Sequence, residues 1–391
     1  MIKRRLGKTG LMVSEVGFGG EWLERHEEAE SIELIKYAGE KGINIIDCWM
    51  PDPKSRDIIG KAIKENRENW YVQGHIGSTY QNGQYVRTRD MQHVRPAFED
   101  LLARINRIDP ASVMDDDRAY IDLGMIHYID SKEEWETSMH SEYIEYVHML
   151  YESGKIRHIG LSNHNPRIAK LAVETGFIEM ILFSINPAFD MKPASEDLDT
   201  MFAGYDGEFS GIDPERAELY RLCEEKDVGI TVMKGFFGGR LFKAETSPFG
   251  AAFTPVQCIH YSLTRPGVAS IMCGYDTKEQ VDQAVAYEDA SADERDYASV
   301  IAGAPLHAYA GQCTYCGHCR PCPMDIDIAL VNKFYDLAVE QPEVPQSVRE
   351  HYGALPQTAA ACIGCRSCEE RCPFGVKIAD RMEKTAQLFG C

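Results

Sequence analysis

Short apolar runs alternate with amphipathic helical patterns from the start of the chain to about residue 290. The runs are rich in β-branched residues and largely apolar, so they predict parallel strands that are buried on both faces. Eight such runs occur, at residues 14–18, 43–47, 70–76, 121–127, 156–162, 180–185, 229–234 and 268–273. Eight strands, each followed by a helix, predict a closed (β/α)8 barrel.

The helical patterns between these runs have recognisable ends. Residues 27–40 place three apolar side chains on one face, and Gly42 follows as a helix-ending residue. Residues 142–153 and Gly154 repeat the arrangement. Such helices are expected to pack their apolar faces against the outside of the barrel.

Polar residues stand at or just after the ends of the predicted strands. In a (β/α)8 barrel the active site lies at this C-terminal face. The candidates are Asp47, Asp52, His75, His127, Ser162, Asn163, Asn186, Lys234 and Gly274. Each one alone is more often a loop residue or a satisfied polar group, but several that converge on one mouth predict a binding site. For the nearby His164, a hydrogen bond to a loop is the expected role.

Length, charge and cysteine usage narrow the class of protein. A chain of 391 residues is long for one core, which favours a barrel over residues 1–290 and a smaller domain over residues 291–391. The formal net charge of −20 disfavours nucleic acid, and no apolar run approaches the roughly 20 residues that span a bilayer. The chain has thirteen cysteines, and its first residues lack the apolar core of a signal peptide. Together these features predict a reducing, cytoplasmic setting without disulfides.

Eight of the cysteines form two compact runs near the C-terminus, and each run ends in Cys-Pro. Three cysteines spaced two residues apart are typical ligands of one [4Fe–4S] cluster, while the cysteine before proline ligates the other cluster. The first run therefore predicts a cluster held by Cys313, Cys316, Cys319 and Cys372. The second predicts a cluster held by Cys362, Cys365, Cys368 and Cys322.

Other interpretations of the cysteine region remain open at this point. Tetrahedral zinc sites also use Cys-x2-Cys pairs, although they rarely need triplets closed by Cys-Pro. Clusters can also stabilise a domain without conducting electrons, because metal binding contributes folding free energy. A helical pattern at residues 328–339 favours a mainly helical ferredoxin-like domain. Another pattern, at residues 292–301, is long enough to carry the chain part of the way back toward the catalytic face, which favours clusters near the mouth.

Several motifs cover most of the chain. They are RRLGKTGLMVSEVGFGG at the start, GINIIDCW around Asp47, YIDLGMIHYID around His127, GKIRHIGLSNHNP around Ser162 and GITVMKGFFGGRL around Lys234, together with the cysteine runs. With these motifs the chain resembles the aldo-keto reductases, and specifically the branch whose barrel carries a C-terminal ferredoxin-like domain with two [4Fe–4S] clusters. Members of that family reduce carbonyl compounds with NADPH.

The resemblance assigns roles to residues at the barrel mouth. It implies that Asp47 and His127 occupy two positions of the family's catalytic tetrad. It also implies that Ser162 and Asn163 hold the nicotinamide carboxamide, with Asn186 beside it. These roles are expectations that the position of each side chain can test.

The other two tetrad positions differ from the family. Asp52 stands five residues beyond Asp47, where the family has its proton-donating tyrosine, and Gly74-His75 replaces a threonine-lysine pair in the third strand. Tyrosine has a reference pKa of about 10, whereas aspartate and histidine have values of about 4 and 6.5. We therefore expect His75 and His127 to share the proton transfer, because histidine titrates near neutral pH. A hydrogen bond to a loop is the alternative role for either ring.

Two connections at the catalytic face are long, at residues 77–89 and 187–212. Long loops in compact folds are often lids or binding loops, and a disordered surface excursion is the alternative. Tyr80 and Tyr85 in the first of these loops offer a phenol from a direction that the family does not use.

The predicted cofactor site is unusually acidic. After the eighth strand, NADPH-dependent members place basic groups against the 2′-phosphate, but this chain has Cys273 and Glu279 there, with Asp276 and Asp282 close by. Carboxylates repel a phosphate dianion, so selectivity for NADPH is not expected. Either a nicotinamide nucleotide or a flavin remains a candidate cofactor, and Lys234 is placed to meet a phosphate or a substrate carboxylate.

Three functions follow in order of preference. The first is an oxidoreductase acting on a small carbonyl-type substrate, with two clusters relaying electrons to or from a donor or acceptor protein. The second is a nicotinamide-dependent carbonyl reductase with a rewired proton donor and structural clusters. The third is a non-catalytic electron-transfer or binding module, and the presence of Asp47, His127, Ser162 and Asn163 argues against it.

Overall fold

The structure is a computed structural model, and it describes residues 1–21, 23–193, 195, 201, 211–303, 311–339 and 343–391. Its strands are β1 (Lys3–Arg5), β2 (Met12–Ser14), β3 (Val16–Gly19), β4 (Ile45–Cys48), β5 (Tyr71–Ile76), β6 (Ser78–Gln81), β7 (Gln84–Arg87), β8 (Ile121–Ile126), β9 (Ile156–Asn163), β10 (Met180–Ser184), β11 (Gly229–Met233) and β12 (Val268–Gly274).

Eight of these strands close into a parallel barrel in the order β3-β4-β5-β8-β9-β10-β11-β12. This confirms the predicted fold class, and each predicted strand agrees with an observed one to within two residues at each end. Every residue of β4, β8 and β10 is buried, as expected for parallel strands covered on both faces.

Helices alternate with the strands around the barrel and continue into the C-terminal region. They are α1 (Glu28–Glu40), α2 (Pro53–Ile63), α3 (Met91–Asn106), α4 (Lys132–Ser138), α5 (Glu142–Glu152), α6 (Pro166–Glu174), α7 (Pro187–Asp190), α8 (Pro214–Glu225), α9 (Pro255–Leu263), α10 (Lys278–Val285), α11 (Ala298–Ala302), α12 (Ile328–Ala338), α13 (Gln346–Gly353), α14 (Ser367–Glu370) and α15 (Ile378–Phe389). The expected glycines follow α1 and α5, since Gly42 and Gly154 both have positive φ. None of the helices in the described ranges combines the length and apolar character needed to cross a bilayer.

Two antiparallel hairpins were not predicted. The first, β1–β2, covers the N-terminal end of the barrel, where the backbone N–H of Lys8 donates to the carbonyl of Asp227 just before β11. The second, β6–β7, stands at the catalytic end inside the long loop after β5. Its turn contains Asn82 and Gly83, both with positive φ, which is the conformation that an Asn-Gly hairpin requires.

The C-terminal region is helical, as predicted. Helix α12 agrees with the pattern at residues 328–339, and it packs against α13 and α15. The division at residue 290 falls just after the last barrel helices and stays a prediction. The long connection at residues 187–212 includes α7, but most of its remainder lies outside the described residues.

The C-terminal region lies against the outer flank of the barrel. At the C-terminal end of α8, the hydroxyl of Ser347 donates to the carbonyl of Glu225 over 3.4 Å. Next to α9, the guanidinium of Arg265 donates to the carbonyl of Thr314, inside the first cysteine run, over 2.5 Å. The expected position of the cysteines near the mouth stays a prediction, although α11, which was expected to carry the chain back toward that face, has only five residues.

Candidate active site

A large cavity opens at the C-terminal ends of the barrel strands. Its volume is about 900 Å³, which is within the range of small-molecule and cofactor sites. Six of the predicted residues line it, namely Asp47, His75, His127, Ser162, Lys234 and Gly274. The barrel therefore brings together side chains that lie far apart in the sequence.

Four side chains form a continuous hydrogen-bonded chain in this cavity. Nε2 of His75 lies 2.9 Å from Oδ1 of Asp47, and Nδ1 of His75 lies 2.8 Å from Nδ1 of His127. On its other side, Nε2 of His127 lies 2.7 Å from the hydroxyl of Tyr85. We call Asp47, His75, His127 and Tyr85 the proton relay.

The inner end of the relay is fixed by two further hydrogen bonds. The amide of Gln73 donates to Oδ1 of Asp47 over 3.0 Å, and the hydroxyl of Thr231 donates to Oε1 of Gln73 over 2.8 Å. Gln73 therefore cannot turn its carbonyl toward Asp47. The carboxylate accepts two hydrogen bonds, so Nε2 of His75 carries a hydrogen.

Burial favours the neutral form of His127. Loss of hydration holds the pKa of His127 well below its ordinary value, and positive charge on His75 and Arg89 acts in the same direction. In the neutral relay, Nδ1–H of His127 donates to Nδ1 of His75, and Nε2 of His127 is left to accept from Tyr85.

Tyr85 reaches the relay from the β6–β7 hairpin. Its ring packs edge-on against Trp49, with ring centroids 5.4 Å apart. Burial raises the pKa of the Tyr85 phenol, with a further contribution from Tyr128. The sequence suggested Tyr80 and Tyr85 equally, and the Asn-Gly turn was the available signal for pairing them across a hairpin.

Asp52 does not reach the mouth cavity, so its assignment as a catalytic candidate needs correction. Its Oδ1 accepts from the backbone N–H of Ser55 over 2.8 Å and caps the N-terminus of α2. Pro53 occupies the first helical position, which makes residue 52 the N-cap. The position that holds a tyrosine in the family therefore has a structural role here.

The two asparagines expected at the cofactor also point elsewhere. Both are fully buried, and neither lines the mouth cavity. The amide of Asn163 donates to the backbone carbonyl of Ile129, and that of Asn186 donates to the carbonyl of Lys234 over 2.9 Å. Ser162 is the member of the expected carboxamide set that does line the cavity.

His164 lines the cavity, although the sequence predicted only a loop hydrogen bond. Its Nδ1 lies 2.8 Å from Oδ2 of Asp130, so the expected bond is present. Its Nε2 is buried and has no hydrogen-bond partner within the described residues. Nearby, Lys234 adopts a positive φ of 58°, and burial lowers the pKa of its ammonium. Both side chains are placed to contact a ligand.

The acidic residues predicted beside a nucleotide phosphate are only partly brought together. Asp276 lines the cavity, whereas Glu279 and Asp282 do not. Asp282 instead pairs with Lys41 at 2.7 Å on the outside of the barrel. One carboxylate of the predicted three therefore faces the cavity.

The eight cysteines of the two runs lie around two small cavities. One is lined by Cys313, Cys316, Cys319 and Cys372. The other is lined by Cys322, Cys362, Cys365 and Cys368. Each cavity thus combines three cysteines from one run with the Cys-Pro cysteine of the other. Across the described part of the chain, no three His, Cys, Asp or Glu side chains converge closely enough to bind one metal ion.

Comparisons with known proteins agree with the barrel. Two curated relatives are the aldo-keto reductase YhdN of Bacillus subtilis, 30% identical over 167 residues, and the probable aldo-keto reductase 1 of Glycine max, 26% identical over 249 residues. These alignments cover 40% and 60% of this chain, and 46% and 61% of the respective relatives. The chain thus spans about half to three fifths of the length of these relatives.

A solved structure extends the likeness in fold. The aldo-keto reductase AKR11C1 from Bacillus halodurans, in its holo form, has a TM-score of 0.58 at 22% identity. The match covers 78% of this chain and 97% of that protein. The sequence model of the aldo/keto reductase family matches residues 15–257 of this chain. The chain therefore belongs to the aldo/keto reductase family.

Proposed function

We propose that this protein is an iron–sulfur oxidoreductase that acts on a small carbonyl-type substrate in the mouth cavity. Two [4Fe–4S] clusters would relay electrons to or from a donor or acceptor protein. The observation that carries the proposal is the sharing of cysteines between the two runs, three and one, around each small cavity. Two-cluster ferredoxins use the same exchange of the Cys-Pro cysteine.

The arrangement of the cysteines suits a cubane better than zinc. A structural zinc ion needs four ligands that converge to about 2.3 Å from one centre. Four thiolates that ligate a [4Fe–4S] cluster instead surround a volume, because each one binds a different iron atom. The thiols of each set line a cavity, and no three ligand-type side chains in the described ranges converge on one point.

When bound, the clusters supply one-electron transfer. Within the barrel, the proton chemistry falls to His75 and His127, with Asp47 balancing the charge of the relay. The mouth cavity has room for a nicotinamide or flavin ring beside a small substrate. Ser162, His164 and Lys234 are further polar groups lining the cavity that would hold such a ring or a substrate anion.

A second function is supported by the position of the cysteines. They lie on the outer flank of the barrel, and none of the eight lines the mouth cavity. This placement favours a nicotinamide-dependent carbonyl reductase in which the clusters hold the C-terminal region together, since metal binding contributes folding free energy.

Metal analysis of anaerobically purified protein tests the proposal first. We expect about eight iron and about eight acid-labile sulfide per chain, with the spectrum of reducible clusters. A colourless protein that contains zinc would rule out the clusters. Mixing the dithionite-reduced protein with small aldehydes then separates the two functions. Reoxidation of the clusters by an aldehyde supports the relay, whereas aldehyde reduction that requires NADH and leaves the clusters reduced supports the second function.

A further inference from the structure

We propose that Tyr85 is the catalytic acid and base of this enzyme, and that Asp47, His75 and His127 act behind it as a relay holding one exchangeable proton. The inference deepens the proposed carbonyl chemistry and rests on it. It assigns the missing family tyrosine to a residue on a different loop, the β6–β7 hairpin.

The position of Tyr85 makes it the substrate-facing end of the relay. All four members of the relay line the mouth cavity, but Asp47, His75 and His127 are at least nine-tenths buried, whereas Tyr85 is only partly buried. The three inner residues already use one another as hydrogen-bond partners at 2.8–2.9 Å. Tyr85 is therefore the member of the relay that is most accessible to a substrate oxygen in the cavity.

The hydrogen bonds of the relay can run in either of two donor-to-acceptor directions, which differ by one proton. In the neutral relay, the O–H of Tyr85 donates to Nε2 of His127, so the phenol oxygen can accept a hydrogen bond from a substrate alcohol. Adding one proton to the relay reverses the donor and acceptor roles along it. His75 then carries hydrogens on both nitrogens, paired with the Asp47 carboxylate, and Nε2–H of His127 donates to the oxygen of Tyr85. The phenol O–H no longer donates to His127 and can donate to a substrate carbonyl, in competition with the neighbouring hydroxyl of Tyr128.

The protonated form of the relay supplies the proton that the reduction of a carbonyl requires. A hydride donor of the nicotinamide or reduced-flavin class supplies two electrons and the hydrogen that forms the new C–H bond. As the C=O π bond breaks, the O–H bond of Tyr85 breaks and the alcohol O–H forms. The phenolate regains a proton from Nε2 of His127, and Nδ1 of His127 takes one from Nδ1 of His75. His75 is left neutral, with its Nε2–H still bonded to Asp47.

The surroundings of Tyr85 keep the phenol protonated until this step. Burial raises its pKa, and Tyr128 adds to the effect, while Arg87 and Arg89 act in the opposite direction. Those two guanidiniums are therefore placed to stabilise the phenolate that forms transiently. Trp49 packs edge-on against the ring and helps to fix its position.

A matched pair of variants tests the assignment. Tyr80 and Tyr85 are paired residues of the same hairpin, but Tyr80 is 45% exposed and does not line the cavity. Reduction of 4-nitrobenzaldehyde and a set of small aliphatic aldehydes is measured with NADH or reduced methyl viologen. We expect Tyr85→Phe to lower kcat about 10²–10⁴-fold with a small change in KM, and Tyr80→Phe to leave both unchanged.

A fluorinated tyrosine at position 85 distinguishes proton donation from a structural role. Its phenol is more acidic but fills nearly the same space, so the alkaline limb of the pH profile should move to lower pH. If the wild-type protein reduces no aldehyde, the proposed function itself is wrong. Activity in the wild type with less than a 100-fold loss in Tyr85→Phe, or an unmoved pH profile with fluorotyrosine, overturns the role of Tyr85 and leaves the proposed function standing.

Discussion

The barrel mouth and the cysteine region assemble their candidate sites in opposite ways. The proton relay takes Asp47 from β4, His75 from β5, His127 from the end of β8 and Tyr85 from a hairpin. Each cysteine cavity instead takes three of its four cysteines from a stretch of seven residues. The spacing of the cysteines around one cavity is thus set mostly by a short stretch of sequence. The proton relay crosses several strands, so it forms only when the barrel closes.

The two regions also differ in the chemistry of their side chains. The mouth is built from hydrogen-bonded imidazoles, a carboxylate and a phenol, which are groups that can donate or accept protons. The cysteine cavities offer thiols, the ligands of electron-carrying clusters. None of the eight cysteines lines the mouth cavity, so substitutions in one region should leave the side-chain arrangement of the other intact.

The largest expected effect comes from the crossed cysteines. Replacing Cys372 with serine should remove the cluster held by Cys313, Cys316 and Cys319, and lower the iron content from about eight to about four per chain. The exposed Cys391 lines neither cysteine cavity, so Cys391→Ser serves as the control.

A double variant checks the sharing directly. Because Cys372 and Cys313 line the same cavity, Cys372→Ser combined with Cys313→Ser should lose no more iron than either single variant. Additive loss, or loss confined to the cluster of Cys362, Cys365 and Cys368, would show that the run supplies its own fourth ligand.

A substitution in the relay should affect turnover and spare the iron. His75→Ala separates Asp47 from His127 and leaves an empty site between them, so we expect aldehyde reduction to slow about 10²–10⁴-fold. The iron and sulfide contents should equal those of the wild type. His93→Ala, on the exposed side of α3, should change neither quantity. Unchanged turnover in His75→Ala would mean that the inner relay carries no proton.

The smallest expected effect concerns nucleotide choice at the rim of the mouth. Asp276 lines the cavity and repels a 2′-phosphate, so NADPH should bind no better than NADH. Because Asp276 is about half exposed, Asp276→Asn should improve NADPH binding only about two- to fivefold. Asp282→Asn, outside the cavity, should have no effect in the same fluorescence titration. A strong NADPH preference in the wild type would contradict this reading of the rim.

The amino-acid sequence by itself determined the barrel and the cysteine sets. Alternation of buried runs and amphipathic helices is repeated eight times, and each repeat is a local property of the chain, so the strands agree with prediction to within two residues. The pairing of Cys372 with the first run could also be inferred before the fold, because the Cys-Pro spacing restricts how two runs can combine.

The tertiary structure alone decided which polar side chains meet. The sequence offered Asp52 as a catalytic candidate beside Asp47, but Pro53 makes Asp52 a helix cap, while the closed barrel brings Asp47 to His75. It likewise turned Asn163 away from the cavity and brought Tyr85 to His127 from a loop with no fixed spacing to any strand end. The physical reason is that a side chain's direction depends on strand register, barrel closure and capping. These are settled by burial and hydrogen bonding over the whole molecule.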